Sequence, residues 1–132
     1  MRAELKLAID AARQAGALTL EYYGGNYRID YKERRDPVTS ADLAADACLK
    51  EHLLGAYPDY GWLSEETADS PERLSAERLW IVDPIDGTRE FVGGIPEYAV
   101  SVALVEAGEP VVGVIYNPPA DQLFAAVKGG GT

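Results

Sequence analysis

Residues 79–94, LWIVDPIDGTREFVGG, contain the strongest structural signals in the chain. Their first four residues form a short apolar run that is typical of a buried strand. Pro84 has no N–H to give to a β-ladder, so we expect it to stop this strand. The Asp-Gly-Thr sequence at residues 86–88 predicts a turn. Two carboxylates, Asp83 and Asp86, are therefore held three residues apart at a junction between strand and turn.

The close spacing of Asp83 and Asp86 has an electrostatic cost. Two like charges about 4 Å apart repel by about 4 kcal/mol at an effective dielectric constant near 20. Such a pair needs a proton, a basic partner or a metal ion to offset the repulsion. Arg89 is a candidate basic partner, and Asp-Gly is also a common turn signal. On spacing alone, a plain turn and a site for an oxygen-binding cation both remain open.

Composition limits the classes of function. The length of 132 residues corresponds to one domain or part of one, and 47% hydrophobic with 26% charged residues is ordinary for a soluble globular protein. A net charge of −10 argues against binding to a nucleic-acid polymer, which basic residues would have to hold. Cys48 is the single cysteine, which excludes an intrachain disulfide and is consistent with a cytoplasmic location. No signal peptide or transmembrane run is apparent, so we expect no membrane partner.

The hydrophobic patterns predict helices first and a strand meander later. Such an order favours an α+β or layered α/β fold, with N-terminal helices packed on a mainly antiparallel sheet. Residues 33–37 are predicted to be a charged loop. The predicted helices cover residues 2–23 and 39–54, and the predicted strands cover 27–32, 60–63, 79–82, 97–106, 111–116 and 122–127. In the second helix, the residues predicted to lie in helical register are Leu43, Ala47, Lys50 and Leu54.

Two further acids have both a structural and a functional interpretation. Thr39 and Asp42 have the spacing of a helix capping box, which explains Asp42 without any chemistry. Alternatively, Asp42 faces a cleft at the helix N-terminus. Glu65 either belongs to an exposed acidic loop or, because it follows an apolar strand-like run as Asp83 does, joins the aspartates at one edge of the sheet. Cys48 and His52 are interpreted as packing or surface residues, since there is no second Cys or His to complete a metal site.

Three motifs occurring in order resemble the inositol monophosphatase family, which includes the 3'(2'),5'-bisphosphate nucleotidases of the CysQ type. These motifs are DPVTSAD at residues 36–42, LSEET at 63–67 and WIVDPIDGTREF at 80–91, and the strand pair at 108–118 is similar as well. The resemblance covers nearly the whole chain. It implies that residues 1–132 are an N-terminal α+β domain, the first half of the family's layered sandwich, with the C-terminal half absent.

The resemblance also implies a magnesium site. Glu65, Asp83 and the backbone carbonyl of Ile85 would hold one Mg²⁺, and Asp83 and Asp86 would contribute to a second. Carboxylate and carbonyl oxygens are the ligands that this hard cation prefers. The cations would lower the pKa of the attacking water and neutralise the phosphate and the leaving alkoxide.

The catalytic and phosphate-binding roles are likewise implied by the resemblance. Gly87 and Thr88 would present backbone N–H groups to the substrate phosphate at the start of a helix. The Thr88 hydroxyl, hydrogen-bonded to Asp42, would act with Glu65 to orient and deprotonate a water molecule that attacks in line. Lys32 would lie near the phosphate. The residues implied around the substrate are Glu65, Ile85, Asp86, Gly87 and Thr88.

The resemblance implies a Mg²⁺-dependent phosphomonoesterase that acts on a small phosphorylated metabolite. The pair Arg89-Glu90 leans towards a bisphosphate nucleotide over inositol monophosphate as substrate. Family members are longer, and their second half supplies a further aspartate within a Trp-Asp motif. This chain has no Trp-Asp pair. We therefore expect residues 1–132 alone to bind Mg²⁺ weakly and to hydrolyse little.

Two alternatives belong to other classes. The motif D-x-D-G-T of haloacid dehalogenase-type phosphotransferases resembles residues 85–88, but Pro84 stands where that class has its nucleophilic aspartate. The other alternative is a non-catalytic half-domain that binds metal or anions and dimerises. Family members are commonly homodimers, so a second copy of the chain is a candidate partner in either case.

Overall fold

The computed structural model describes residues 3–22, 29–32, 36–64, 77–86 and 98–128, with side chains described for 3–21, 41–64, 77–86 and 98–128. Two helices and seven strands follow one another along the chain. They are α1 (Ala3–Tyr22), β1 (Ile29–Lys32), β2 (Asp36–Thr39), α2 (Ser40–Ala56), β3 (Gly61–Ser64), β4 (Arg78–Asp86), β5 (Ala99–Glu106), β6 (Glu109–Asn117) and β7 (Gln122–Val127).

A five-stranded sheet in the order β3-β4-β5-β6-β7 forms the centre of the described fold. Strand β3 pairs with β4 in parallel, whereas the other three pairings are antiparallel. Strands β1 and β2 form a separate two-stranded antiparallel sheet. The predicted fold class, helices packed on a mainly antiparallel sheet, is confirmed. The predicted loop at 33–37 is wrong at its C-terminal end, because Asp36 and Pro37 begin β2. Proline is tolerated there because both strands of a two-stranded sheet are edge strands.

Both helices cover one face of the central sheet. Helix α1 packs chiefly on β6 and β5, α2 packs on β4, and the two helices contact each other. On α1 the buried side includes Leu5, Ala8, Ala12 and Ala15. Because these side chains are mostly alanines, α1 can approach its neighbours closely. Neither of the helices in the described part of the chain has the length and apolar character needed to cross a bilayer.

Helix α2 buries a different face from the predicted one. Ala45, Leu49 and Leu53 are completely buried, whereas Leu43 is 50% exposed. Both sets of residues recur every three or four positions, so either could form a helical stripe. Because α2 also carries alanines on its outer side, its pattern of hydrophobicity did not distinguish the two stripes.

The sheet face opposite the helices is apolar and open. Ile81, Ile115 and Phe124 are exposed on it by 38%, 51% and 64%. A groove of about 330 Å³ is lined by Ile115 and Phe124 and by the neighbouring part of β5. Ile115 and Phe124 are directly paired across β6 and β7. Alternate residues of each strand face the helices, so the core side of the sheet carries Trp80, Val102 and Val114 instead.

Candidate metal and phosphate site

Strand β4 continues through Pro84 instead of ending there, so the predicted stop at this residue is wrong. Asp83 is paired with Ser101 of β5, and Asp86 is paired with Ala99. Three residue steps on β4 therefore correspond to two steps on β5, which is the signature of a β-bulge. The missing N–H of Pro84 lies within this interruption of the ladder, the place where a strand tolerates proline.

The bulge brings Asp83 and Asp86 onto the same side of the sheet. In a regular strand, residues three positions apart point to opposite faces. Ser101 and Ala99 are two positions apart and so share a face, and directly paired residues share a face as well. The extra residue on β4 thus reverses the expected alternation and turns both carboxylates towards the open face. Ile85, within the bulge, is 2% exposed and anchors it in the interior.

A cleft of about 390 Å³ lies beside the first of these carboxylates. Asp83 is half-buried and lines the cleft together with Ser64, at the carboxyl end of β3, and with Ser101 of β5. The remaining lining residues are the apolar Leu63, Ile81, Val82 and Ala103. One wall is therefore acidic and the floor is apolar, which gives a carboxylate in the cleft less screening than it would have in bulk water.

Parallel pairing gives β3 and β4 the same direction and places the end of β3 beside β4, just before Asp83. Ser64, the last residue of β3, is paired with Val82, and β4 runs four residues further to Asp86. The residue after Val82 on β4 is Asp83, and the next residue after Ser64 in the sequence is Glu65. The parallel direction of β3 and β4 is the arrangement for which ligand sites beyond strand ends are typical, so it is compatible with the interpretation that places Glu65 beside the aspartates, which stays a prediction. Glu65 itself lies outside the described residues.

Asp42 lies in the first turn of α2 and is 1% exposed. Thr39 directly precedes the helix, so the capping spacing is compatible with the position of α2. A buried carboxylate at a helix N-terminus is favoured by the helix dipole. One turn further along α2, Asp46 bonds to Ser64 at the end of β3. The N-terminus of α2 therefore points towards the sheet edge that carries the cleft.

The predicted site residues are only partly within the described chain. Asp42, Asp83, Ile85 and Asp86 are described, while Glu65, Gly87 and Thr88 are not. Lys32 is described for its backbone alone, in β1 and paired with Asp36. Within the described ranges, no three His, Cys, Asp or Glu side chains gather closely enough to hold a metal ion. The predicted ligand set includes Glu65, so the metal site and the catalytic roles stay predictions.

The sequence analysis missed the bond between Ser64 and Asp46. The Ser64 hydroxyl donates a hydrogen bond to Asp46 Oδ1 and connects β3 to α2. One signal was available. Asp42 and Asp46 are four residues apart on a predicted helix, so both carboxylates lie on one face of it.

Cys48 and His52 lie on α2 beyond Asp46 and form a local pair. His52 Nδ1 is 2.8 Å from the Cys48 carbonyl oxygen, so Nδ1–H donates to that oxygen, and the Cys48 Sγ atom is 3.7 Å from the same nitrogen. Burial, followed by the nearby charge of Glu51, raises the pKa of the Cys48 thiol. A thiol with a raised pKa is a poor nucleophile and a poor metal ligand. Cys48 also packs against the core, in keeping with the predicted packing role.

Known proteins resemble this chain in sequence and in fold. A histidinol-phosphatase from Chlorobaculum parvum is 39% identical over 99% of the chain and 50% of that protein. The 3'(2'),5'-bisphosphate nucleotidase CysQ from Salmonella typhimurium is 39% identical over 95% of the chain and 52% of its own length. The crystal structure of the extragenic suppressor protein suhB from Bartonella henselae matches with a TM-score of 0.90 and 38% identity, covering 97% of this chain and 50% of that one.

These matches determine the family. The chain spans about half the length of the curated relatives it matches. The model of the inositol monophosphatase family matches residues 1–132 without a gap at either end. The chain therefore belongs to the inositol monophosphatase family.

Proposed function

We propose that this chain carries the metal-binding and phosphate-binding part of a Mg²⁺-dependent phosphomonoesterase. The observation that carries the proposal is the bulge at Pro84, which turns Asp83 and Asp86 to one side of the sheet beside a cleft. Two carboxylates held on one face by the backbone repel each other, and a bound cation would relieve this repulsion. Matches to proteins named as phosphatases support the same reaction class.

The donor atoms at and after Asp83 on β4 suit a hard cation. The described candidates, Asp83, Asp86 and the Ile85 carbonyl, are all oxygen ligands, as Mg²⁺ requires. Among the described residues, no sulfur or imidazole ligand lines the cleft. We propose that Glu65 completes the set with Asp83 and the Ile85 carbonyl, and that Asp86 contributes to a second ion. When bound, Mg²⁺ would offset the phosphate charge and lower the pKa of a bound water.

The remaining roles fall to residues around the two strand ends. Gly87 and Thr88 would donate backbone N–H groups to the phosphate, and Glu65 would accept the proton of the attacking water. Asp42 would accept a hydrogen bond from the Thr88 hydroxyl and so orient it. The water oxygen forms a bond to phosphorus as the ester P–O bond breaks, and the alcohol leaves with a proton. No phosphoenzyme forms, because water attacks directly.

The net charge of −10 disfavours the approach of an anionic phosphate ligand. A strongly acidic protein repels an anionic substrate, and bound cations reverse this field locally. The substrate that we propose is a small phosphomonoester, either a 3'(2'),5'-bisphosphate nucleotide or inositol monophosphate. Relatives named for each of these substrates match the chain at 39–40% identity.

Cation binding by the chain is the first test, because it does not depend on turnover. Isothermal titration calorimetry with Mg²⁺ should give an affinity that falls at least about tenfold in Asp83→Asn. Glu109→Gln is the matched control. It removes the same charge at the opposite end of the sheet, where Glu109 forms an ion pair with Lys128, and should leave the affinity within about twofold.

Phosphate release is the second test. Inositol 1-phosphate, adenosine 3',5'-bisphosphate and histidinol phosphate are compared at equal concentration, with Mg²⁺ and with EDTA. We expect release from at least one of them that EDTA abolishes and Mg²⁺ restores.

Equal binding of Mg²⁺ by Asp83→Asn and the unaltered chain would contradict the metal site. Binding of Mg²⁺ without release from any of the three compounds would favour the non-catalytic alternative.

A further inference from the structure

A buried hydrogen bond connects the last turn of α1 to the start of β5. Thr19 of α1 and Tyr98, the residue before β5, are 0% and 1% exposed, and their hydroxyl oxygens are 2.9 Å apart. The Thr19 hydroxyl donates its single hydrogen to the Gly16 carbonyl oxygen at 2.6 Å. In the bond between the two side chains, the Tyr98 hydroxyl is therefore the donor and Thr19 Oγ1 is the acceptor.

The residue that follows Tyr98 is paired with one of the two aspartates. Ala99 is the first residue of β5, and its partner Asp86 is the last residue of β4. The neighbouring pair of this ladder is Asp83 with Ser101, and the bulge interrupts the pairing between the two. The pair of Asp86 with Ala99 thus stands beyond the bulge, at the ends of both strands. Strand ends open locally at low cost unless side chains hold them, because few contacts are lost there.

We propose that Thr19 and Tyr98 are positioning residues for Asp86. Their bond anchors the start of β5 to α1, and β5 in turn holds Asp86 on the same side of the sheet as Asp83. Because Tyr98 bonds to α1, it faces the helices and acts on Asp86 through the backbone of β5, without touching the cation. The inference rests on the proposed function, because it takes both aspartates as cation ligands.

Tyr98→Phe tests the proposal without changing any charge, and it leaves the Thr19 hydroxyl bonded to Gly16. The apparent affinity for Mg²⁺ falls with the fraction of chains whose strand ends are paired, and loss of one neutral hydrogen bond should lower it by about three- to fivefold in calorimetry. Tyr60→Phe is the matched control. It also removes a tyrosine hydroxyl and its hydrogen bond, here to Glu4 beside the start of β3, at the opposite end of the sheet, and should leave the affinity unchanged.

Amide hydrogen exchange without metal gives a readout that does not depend on the cation. In Tyr98→Phe we expect faster exchange over residues 83–86 and 98–101, with no change over residues 103–105 in the middle of β5. Thr19→Val keeps the shape of the side chain and removes the acceptor, so it should have the same effect. Combining the two substitutions should cause no further loss of Mg²⁺ affinity, because either one alone already removes the bond.

Asp86→Asn distinguishes failure of this inference from failure of the proposed function. If Asp86→Asn leaves Mg²⁺ affinity unchanged, Asp86 is not a ligand and the proposed cation site is wrong. If Asp86→Asn weakens binding while Tyr98→Phe and Thr19→Val bind Mg²⁺ as the unaltered chain does, the positioning role is overturned and the cation site stands. A lowered melting temperature in Tyr98→Phe with unchanged exchange over residues 83–86 would also overturn the role, because the bond would then serve stability alone.

Discussion

Replacement of Gly16 by alanine should destabilise the protein, although alanine is the better helix former. Gly16 lies inside α1 where the helix crosses β6. A Cβ atom at this position would lie 2.6 Å from Cε2 and 2.8 Å from Cδ2 of Tyr116, and 3.0 Å from Cγ of Pro118. Carbon atoms in contact are normally about 3.5–4.0 Å apart, so something must move.

The Tyr116 ring has little freedom to move. It is 8% exposed, its hydroxyl donates a 2.9 Å hydrogen bond to Asp121, and the Arg13 guanidinium lies 5.5 Å from the ring centroid. Alanine gains about 1 kcal/mol over glycine in a helix interior. Overpacking of a well-packed contact costs about 1–3 kcal/mol, and a ring held at its tip falls in the upper part of this range. The net free energy of unfolding should therefore fall by about 1–2 kcal/mol.

Urea unfolding followed by far-UV circular dichroism measures this change. Gly55→Ala is the control. Gly55 lies in the last turn of α2, where an added methyl group would meet no atom of the described chain within 4 Å, so alanine should stabilise the protein by about 0.5–1 kcal/mol. In a Tyr116→Ala background the ring is gone, so Gly16→Ala should become stabilising. A Gly16→Ala chain as stable as the unaltered one would refute the packing argument.

Three further changes test the turn, an aromatic contact and the acidic pair. Ala107 has a φ of 49° in the hairpin between β5 and β6, so Ala107→Asn should raise stability by about 1 kcal/mol in thermal melts. Burial and then the 2.8 Å hydrogen bond from its hydroxyl to Glu4 raise the pKa of Tyr60 from 10.0 to about 12. The folded state therefore favours the protonated form of Tyr60. The resulting contribution to the free energy of unfolding is complete below pH 10 and is lost as the pH rises towards 12. Tyr60→Phe should accordingly flatten the fall in melting temperature over this pH range. Asp86→Asn should raise the melting temperature of the metal-free chain while weakening its binding of Mg²⁺, as calorimetry would show.

Local patterns in the sequence predicted most of the fold, because hydrophobic periodicity determines which elements form. The helices, the three-stranded meander and the layered α+β arrangement all followed from such patterns. What they did not determine was which side of α2 faces the sheet. Leu43 and Leu49 are equally apolar, and only the contact of α2 with α1 and β4 makes Leu49 the buried one.

The site was harder to predict than the fold for a related reason. One of the two interpretations of Glu65 placed it at the same edge as Asp83, and the parallel direction of β3 and β4 is compatible with that interpretation. The orientation of Asp86 depends on strand alternation, which a single extra residue reverses. Because Pro84 was interpreted as the end of the strand, the sequence analysis could not predict this reversal. The Ser64–Asp46 bond joins residues 18 positions apart and has no signature in local sequence.

The bulge explains how the fold can maintain two acids on one face without a bond between them. Asp83 and Asp86 are paired with β5 residues two positions apart, a separation of about 6.8 Å along a strand. At that distance two carboxylates repel by about 0.6 kcal/mol in bulk water and by about 2.4 kcal/mol at an effective dielectric constant of 20. Asp86 is exposed, so the cost lies nearer the lower value. Backbone pairing and the buried Ile85 side chain can offset this cost easily. The acids are therefore arranged by the backbone before any cation arrives, which is the preorganisation that a binding site for a reluctantly dehydrated ion needs.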